Sequence, residues 1–128
     1  PRPIHFEIHA DDPARAIAFC EKLLGWSFHK FEGGPMPYWL ITTGPDGTPG
    51  INGGLHPRMG PKPVPEQAVI GTMPVDVDNV DAYVARATAA GANVCVPRMP
   101  IPGVGWLAYV NDSEGNILGL LQQDPAAK

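Results

Sequence analysis

The chain has 128 residues, enough for one domain that buries a core without staples. Its formal net charge is −4 with the basic residues scattered, which speaks against a nucleic-acid surface, where phosphate contacts demand a clustered basic face. No apolar run nears the ~18 residues of a membrane span and no signal-peptide pattern leads the sequence, so a cytoplasmic location is expected.

The residues from Ile4 to Ala10 alternate as a strand, with Phe6 and Ile8 on one face and His5, Glu7 and His9 on the other. Asp12-Pro13 opens a helix, Asp12 as N-cap and Pro13 in the first turn. Ala16, Ile17, Cys20, Leu23 and Leu24 give that helix an apolar stripe, and Gly25 ends it. Strands are predicted at Trp26–Phe31, Tyr38–Thr43 and Ile51–Leu55. Residues 57–68 read as a stiff linker, because Pro57, Pro61, Pro63 and Pro65 forbid a helix.

The pattern then repeats. A strand at Val69–Val77 precedes a helix capped at Asp78-Asn79, with Val80, Tyr83, Val84 and Ala87 on its apolar side and Gly91 at its end. Strands follow at Ala92–Val96, Trp106–Val110 and Ile117–Leu121, with a polar turn over 111–115. Gly25 and Gly91, Trp39 and Trp106, and Leu55 and Leu120 stand 66, 67 and 65 residues apart. A near-constant offset through three different elements points to an internal duplication. The fold class is therefore α+β: two βαβββ modules, at about 1–56 and 69–124, forming one domain as a partly open β-barrel or cleft.

That architecture has a chemical consequence. One helix covers only one face of a four-stranded sheet, so His5, Glu7 and His9 are expected to face a shared interior. Burying such groups is costly unless they are paired or solvated. A water-accessible ligand cavity between the modules removes the conflict. His5 and Glu7 are the candidate catalytic residues, as acid and base; the competing reading is a mutually satisfied structural pair. His9, at the strand end, reads as a capping or surface histidine. Asn52, Trp39, Trp106 and Tyr38 are the candidate substrate-binding residues. Asn52 has an alternative as backbone support beside Gly53-Gly54, and the tryptophans as core. Cys20 and Cys95 read as buried free thiols; with no C-x-x-C pair, neither thiol redox chemistry nor a cysteine zinc site is expected.

The run His5-Phe6-Glu7-Ile8-His9-Ala10-Asp11-Asp12-Pro13, with Leu23-Leu24-Gly25-Trp26, resembles the opening of the vicinal oxygen chelate superfamily. That superfamily includes lactoylglutathione lyase, bleomycin and fosfomycin resistance proteins and extradiol dioxygenases. Val77-Asp78-Asn79-Val80-Asp81-Ala82 and Asp112-Ser113-Glu114-Gly115-Asn116 resemble its second module. Gly50-Ile51-Asn52-Gly53-Gly54 and Pro100-Ile101-Pro102-Gly103-Val104-Gly105-Trp106 are similar to a bacterial branch described as related to lactoylglutathione lyase.

The resemblance implies a small-molecule ligand and a homodimer. Metal-dependent members place ligands on interior strands of both modules. Here His5 falls at the first such position, but the others fall at about Gly54, at Gly71 or Thr72, and at Gly119. A tight divalent site needs three or four convergent donors, so no cofactor is expected, though a replacement set from His5, Glu7, His9 and His56 is conceivable. The implied function is a glyoxalase-like protein binding a small molecule, with metal-independent lyase or isomerase chemistry. Two alternatives stay open: a non-catalytic protein that sequesters an antibiotic-type ligand, and a metal-dependent enzyme like lactoylglutathione lyase.

Overall fold

A computed structural model describes residues 1–62, 64, 71–114 and 116–128. The chain runs β1 (Phe6–Ala10), α1 (Pro13–Leu24), β2 (Ser27–Lys30), β3 (Trp39–Thr42) and β4 (Gly53–Pro57). It continues with β5 (Met73–Asp76), α2 (Val80–Ala89), β6 (Val94–Ile101), β7 (Gly105–Asn111) and β8 (Ile117–Gln123). These make two four-stranded sheets of identical plan, β1-β4-β3-β2 and β5-β8-β7-β6. In each, the first and last strands pair in parallel and the other pairings are antiparallel. Leu55 stands opposite Ile8 in one parallel pair and Leu120 opposite Val75 in the other, so the repeat offset marks equivalent positions. Each sheet keeps two edge strands and neither closes into a barrel.

The first compact unit described here is residues 5–71. Asp12 accepts a hydrogen bond from the Arg15 amide at 3.2 Å, which starts α1, and Gly25 ends it at φ 69°, a left-handed position that favours glycine. α1 lays Ala16 and Ile17 on a cluster centred on Ala10, Ile41 and Leu55, joined by Phe6, Ile8, Phe28 and Trp39. The stripe predicted for α1 extends too far. Leu23 and Leu24 lie beyond that cluster and are exposed, as is Phe19.

β4 is shifted two residues from the strand expected at Ile51–Leu55. Thr43 explains the shift. Its amide donates to Asn52 Oδ1 at 2.9 Å and its hydroxyl to the Ile51 carbonyl at 2.7 Å, so residues 51–52 close the preceding loop. His56 consequently sits within β4, although its path looked open from the sequence.

The second unit comprises residues 1–4 and 72–128. Residues 1–4 lie against β5: the Ile4 amide donates to the Pro74 carbonyl at 3.3 Å and the Asp76 amide to the Arg2 carbonyl at 3.1 Å. Asn79 caps α2 by accepting from the Ala82 amide at 2.9 Å, and the free Val80 amide donates to Gln122 Oε1, also at 2.9 Å. Val77, Val80, Ala108, Val110 and Leu120 form the core. β6 reaches Ile101, well past the expected Val96, despite Pro97 and Pro100. An edge strand tolerates prolines because one row of its amides has no ladder partner, and the β6–β7 register is irregular there. Among the described residues no helix is long and apolar enough to cross a membrane. Of the predicted linker over 57–68, Pro57 ends β4 and Pro63 and residues 65–68 lie outside the described residues, as do residues 69–70 of the expected strand and Gly115 of the expected turn.

Candidate functional site

Phe6, Ile8 and Ala10 go to the α1 side of the first sheet, so strand alternation sends Glu7 and His9 to the opposite face. On β4 the same alternation gives Leu55 to the core and leaves Gly54 and His56 beside Glu7 and His9, their register partners. Tyr38, just before β3, completes the group.

Three side chains form a hydrogen-bonded chain there. His5 Nε2 lies 2.8 Å from the Tyr38 hydroxyl, which donates to Glu7 Oε2 at 2.9 Å. A phenol has one proton. Since it is given to Glu7, the hydroxyl accepts from His5, and Nε2 must carry the hydrogen. The order is His5 Nε2–H to Tyr38 O–H to the Glu7 carboxylate. Glu7 is only 4% exposed. Burial holds the His5 pKa below its ordinary value, with the nearby Glu7 charge opposing that shift.

Beyond Tyr38 runs a series of rings. Phe31 meets Tyr38 edge-on at 6.4 Å, and Tyr38 lies nearly parallel to His56 at 6.1 Å. His56 in turn lies 4.3 Å from His9. His9 is half-buried, and its Nε2 is buried with no hydrogen-bond partner among the described residues. Burial holds its pKa down, aided by His56 and Arg58 and opposed by Glu7. Arg58 donates to the His9 carbonyl and to Asp11 Oδ1, both at 3.1 Å.

The other candidates lie elsewhere. Asn52 Oδ1 serves the Thr43 amide and borders an open recess of about 430 Å³ formed by the 43–50 loop. Trp39 packs in the core with Lys30 Nζ over its ring. Trp106 belongs to the second unit, where its indole N–H donates to Asp124 Oδ2 at 3.1 Å and Arg98 covers its ring. Cys20 is buried, but Cys95 is exposed on edge strand β6, where its thiol meets Asn111 Oδ1. His56 was undervalued in the sequence because a proline-rich stretch hid that it extends β4; its alternation with Gly54 was the available signal.

The superfamily's metal does not fit this donor set. A Cβ built on Gly54 would fall on the Tyr38 hydroxyl, so a phenol occupies the room a ligand side chain at that position needs. Among the described residues no group of three or more His, Cys, Asp or Glu could hold a metal ion.

The chain as a whole is similar to known proteins. A model of the glyoxalase-like domain matches residues 5–121. A protein provisionally named glyoxylase CFP32, from Mycobacterium bovis and from Mycobacterium tuberculosis, is 29% identical over 119 residues. That alignment covers 93% of this chain but 43% of the relative, so the chain spans less than half the length of the curated proteins it matches. Among solved structures, methylmalonyl-CoA epimerase from Mycobacterium tuberculosis superposes with a TM-score of 0.65 at 17% identity, covering 96% of this chain and 88% of that one. The Streptomyces coelicolor methylmalonyl-CoA epimerase with 2-nitronate-propionyl-CoA gives 0.64 at 17%, covering 99% and 97%. These superpositions speak to the fold, while the domain match spans nearly the whole chain: the chain belongs to the glyoxalase-like domain family of the vicinal oxygen chelate superfamily.

Proposed function

We propose that the face of the first sheet turned away from α1 binds a small carbonyl or carboxylate compound, and that Glu7, Tyr38 and His5 move a proton on it without a metal. The observation that supports this reading is the directed chain from His5 through Tyr38 to a buried Glu7. When Glu7 takes a proton from a ligand carbon, the chain reverses. Glu7 then donates to Tyr38 and Tyr38 to His5 Nε2; His5 gives its Nε2 hydrogen to solvent and takes one from solvent at Nδ1, staying neutral, while the electron pair left on the ligand carbon is held by the adjacent carbonyl until Glu7 returns the proton. The outcome is a lyase or isomerase type of step. Names of relatives that include glyoxylase and epimerase accord with it but do not set this chain's substrate.

A second reading is sequestration without turnover. It draws on the series Phe31, Tyr38, His56 and His9, which offers flat ring surface to an aromatic ligand.

One experiment separates the two. A thermal-shift screen of small carbonyl compounds, carboxylates and aromatic compounds identifies binders, and each is then incubated with the protein in deuterated water. Solvent deuterium entering the ligand at a carbon next to a carbonyl supports catalysis, and Glu7→Gln should slow it roughly 10²–10⁴-fold while binding persists. Binding without exchange supports sequestration. Binding that a combined Tyr38→Ala, His56→Ala change leaves intact overturns both, because both place the ligand on this face.

A further inference from the structure

Glycine follows an aspartate or asparagine at two places in the chain, Asp46-Gly47 and Asn52-Gly53. Both pairs carry the same latent chemistry. A glycine has no side chain to keep its amide nitrogen from the side-chain carbonyl carbon of the residue before it, and the two can close into a five-membered ring. The structure treats the pairs differently. Asn52 Oδ1 is held twice by Thr43, from its amide at 2.9 Å and its hydroxyl at 3.3 Å. Gly53 is buried between Phe6 of β1 and Ile41 of β3, where a Cβ would fall 2.6 Å from the Phe6 ring and the Phe6 carbonyl. Asp46 and Gly47 are exposed in the 43–50 loop, around its open recess. Gly47 stands at φ 83° in a turn where the Thr48 amide and hydroxyl both donate to the Pro45 carbonyl, at 3.3 and 2.6 Å. Among the described residues no hydrogen bond or ion pair holds the Asp46 carboxyl or the Gly47 amide.

We propose that Asp46-Gly47 is a self-modification site, where the folded protein converts aspartate to isoaspartate with water as the only co-reactant, while the fold shields Asn52-Gly53 from the matching reaction. The Gly47 amide nitrogen gives up its proton and bonds to the Asp46 side-chain carboxyl carbon, and one carboxyl oxygen leaves as water. The product is a cyclic imide. Water then adds to one of its two carbonyl carbons. Addition at the side-chain carbon breaks the new bond and restores aspartate. Addition at the main-chain carbon breaks the original peptide bond and leaves the chain running through the side chain as isoaspartate. No atom is gained or lost overall, and nothing is oxidised or reduced. The reaction requires the amide to swing onto the carboxyl, and here that motion breaks no hydrogen bond made by either group. At Asn52 the same motion requires releasing both Thr43 contacts and lifting Gly53 from between two strands. Thr43 also confines the result: it ties residues 51–52 to the end of β3, so the extra methylene of isoaspartate stays within the loop and β4 keeps its register.

The test needs no ligand, so its outcome is independent of the function proposed above. The folded protein is kept for weeks at near-neutral pH in oxygen-18 water, beside a sample unfolded in guanidinium chloride. Each passage through the imide places one heavy oxygen in the peptide, and electron-transfer fragmentation separates isoaspartate from aspartate. In the folded protein the Asp46 peptide should gain label, part of it as isoaspartate, at a rate within about tenfold of the unfolded sample, because an exposed loop opens at little cost. The Asn52 peptide should convert at least about a hundredfold more slowly folded than unfolded, because its reaction waits on local opening of the strand ladder. Asp46→Glu, which would need a six-membered ring, should end labelling in that loop, with circular dichroism showing the variant folded. An unlabelled Asp46 in the folded protein overturns the proposal. So does protection of Asp46 as strong as that of Asn52, an Asn52 that converts as fast folded as unfolded, or loop labelling that survives Asp46→Glu.

Discussion

The Tyr38 hydroxyl occupies the space that any side chain at Gly54 would need, on the face where Gly54 is the register partner of Glu7. This single relationship explains two departures at once: the loss of a ligand position on β4, and the presence of a phenol between an imidazole and a buried carboxylate. It also supplies the most direct test of the site.

Gly54→Ala should force the phenol aside. Overpacking of this kind costs about 1–3 kcal/mol. Denaturant unfolding should show that loss, and the Tyr38 resonance should move with it. Wild-type stability together with an unshifted Tyr38 signal would contradict the packing described.

Tyr38→Phe keeps the ring and its stacking but takes one hydrogen bond each from His5 and Glu7. The expected loss is about 1–3 kcal/mol, the cost of weakening the satisfaction of buried polar groups. It is read as a lower midpoint in urea, with the ring contact to His56 still visible by nuclear Overhauser effect.

Stability should fall on mild acidification. Burial lowers the folded-state pKa of His5 against the opposing charge of Glu7. It also lowers that of His9, with His56 and Arg58 adding to the effect. The unfolded chain, whose histidines titrate near ~6.5, therefore takes up protons first as pH drops. The stability held by the neutral rings is complete above that value and is lost as pH falls through it toward the folded-state pKa values. Urea midpoints at about pH 7.5 and 5.5 should differ in that direction, and His9→Gln should shrink the difference.

The two thiols should react at different rates. Cys95 is exposed, whereas Cys20 is buried and burial raises its pKa. A thiol reagent on the native protein should modify Cys95 promptly and Cys20 only on unfolding. Mass spectrometry after brief labelling distinguishes them.

Asp12→Ala should cost about 1 kcal/mol through loss of the α1 cap. Asp12 Oδ1 accepts from the Arg15 amide at 3.2 Å, and no part of the proton chain touches it, so the Tyr38 resonance should be unchanged.

Much of this was legible in the residues. Asp12, Asn79 and Gly25 act locally, and each marks a helix end where the sequence puts it. The duplicated order of elements follows from apolar periods and turn residues alone. What could not be read was settled by pairing over distance. β4 begins at Gly53 because of its register with β1 and because Thr43 ties down residues 51–52. β6 runs through two prolines because it lies at an edge. The alternation of β1 distinguished its two faces, but no local pattern announces that a phenol 31 residues away would donate to Glu7. That contact depends on a missing side chain at Gly54, and an absence has no signature in hydrophobic periodicity.

Residues 1–4 border β5, while everything from His5 to Gly71 builds the other unit. Covalent order and spatial order are thus interleaved. A fragment cut to begin at Thr72 would leave β5 without its neighbouring backbone, exposing unsatisfied amides and carbonyls of the sort that recruit foreign strands. Splitting this protein for complementation assays accordingly calls for returning Pro1–Ile4 to the later piece, as a short peptide or through circular rearrangement of the gene.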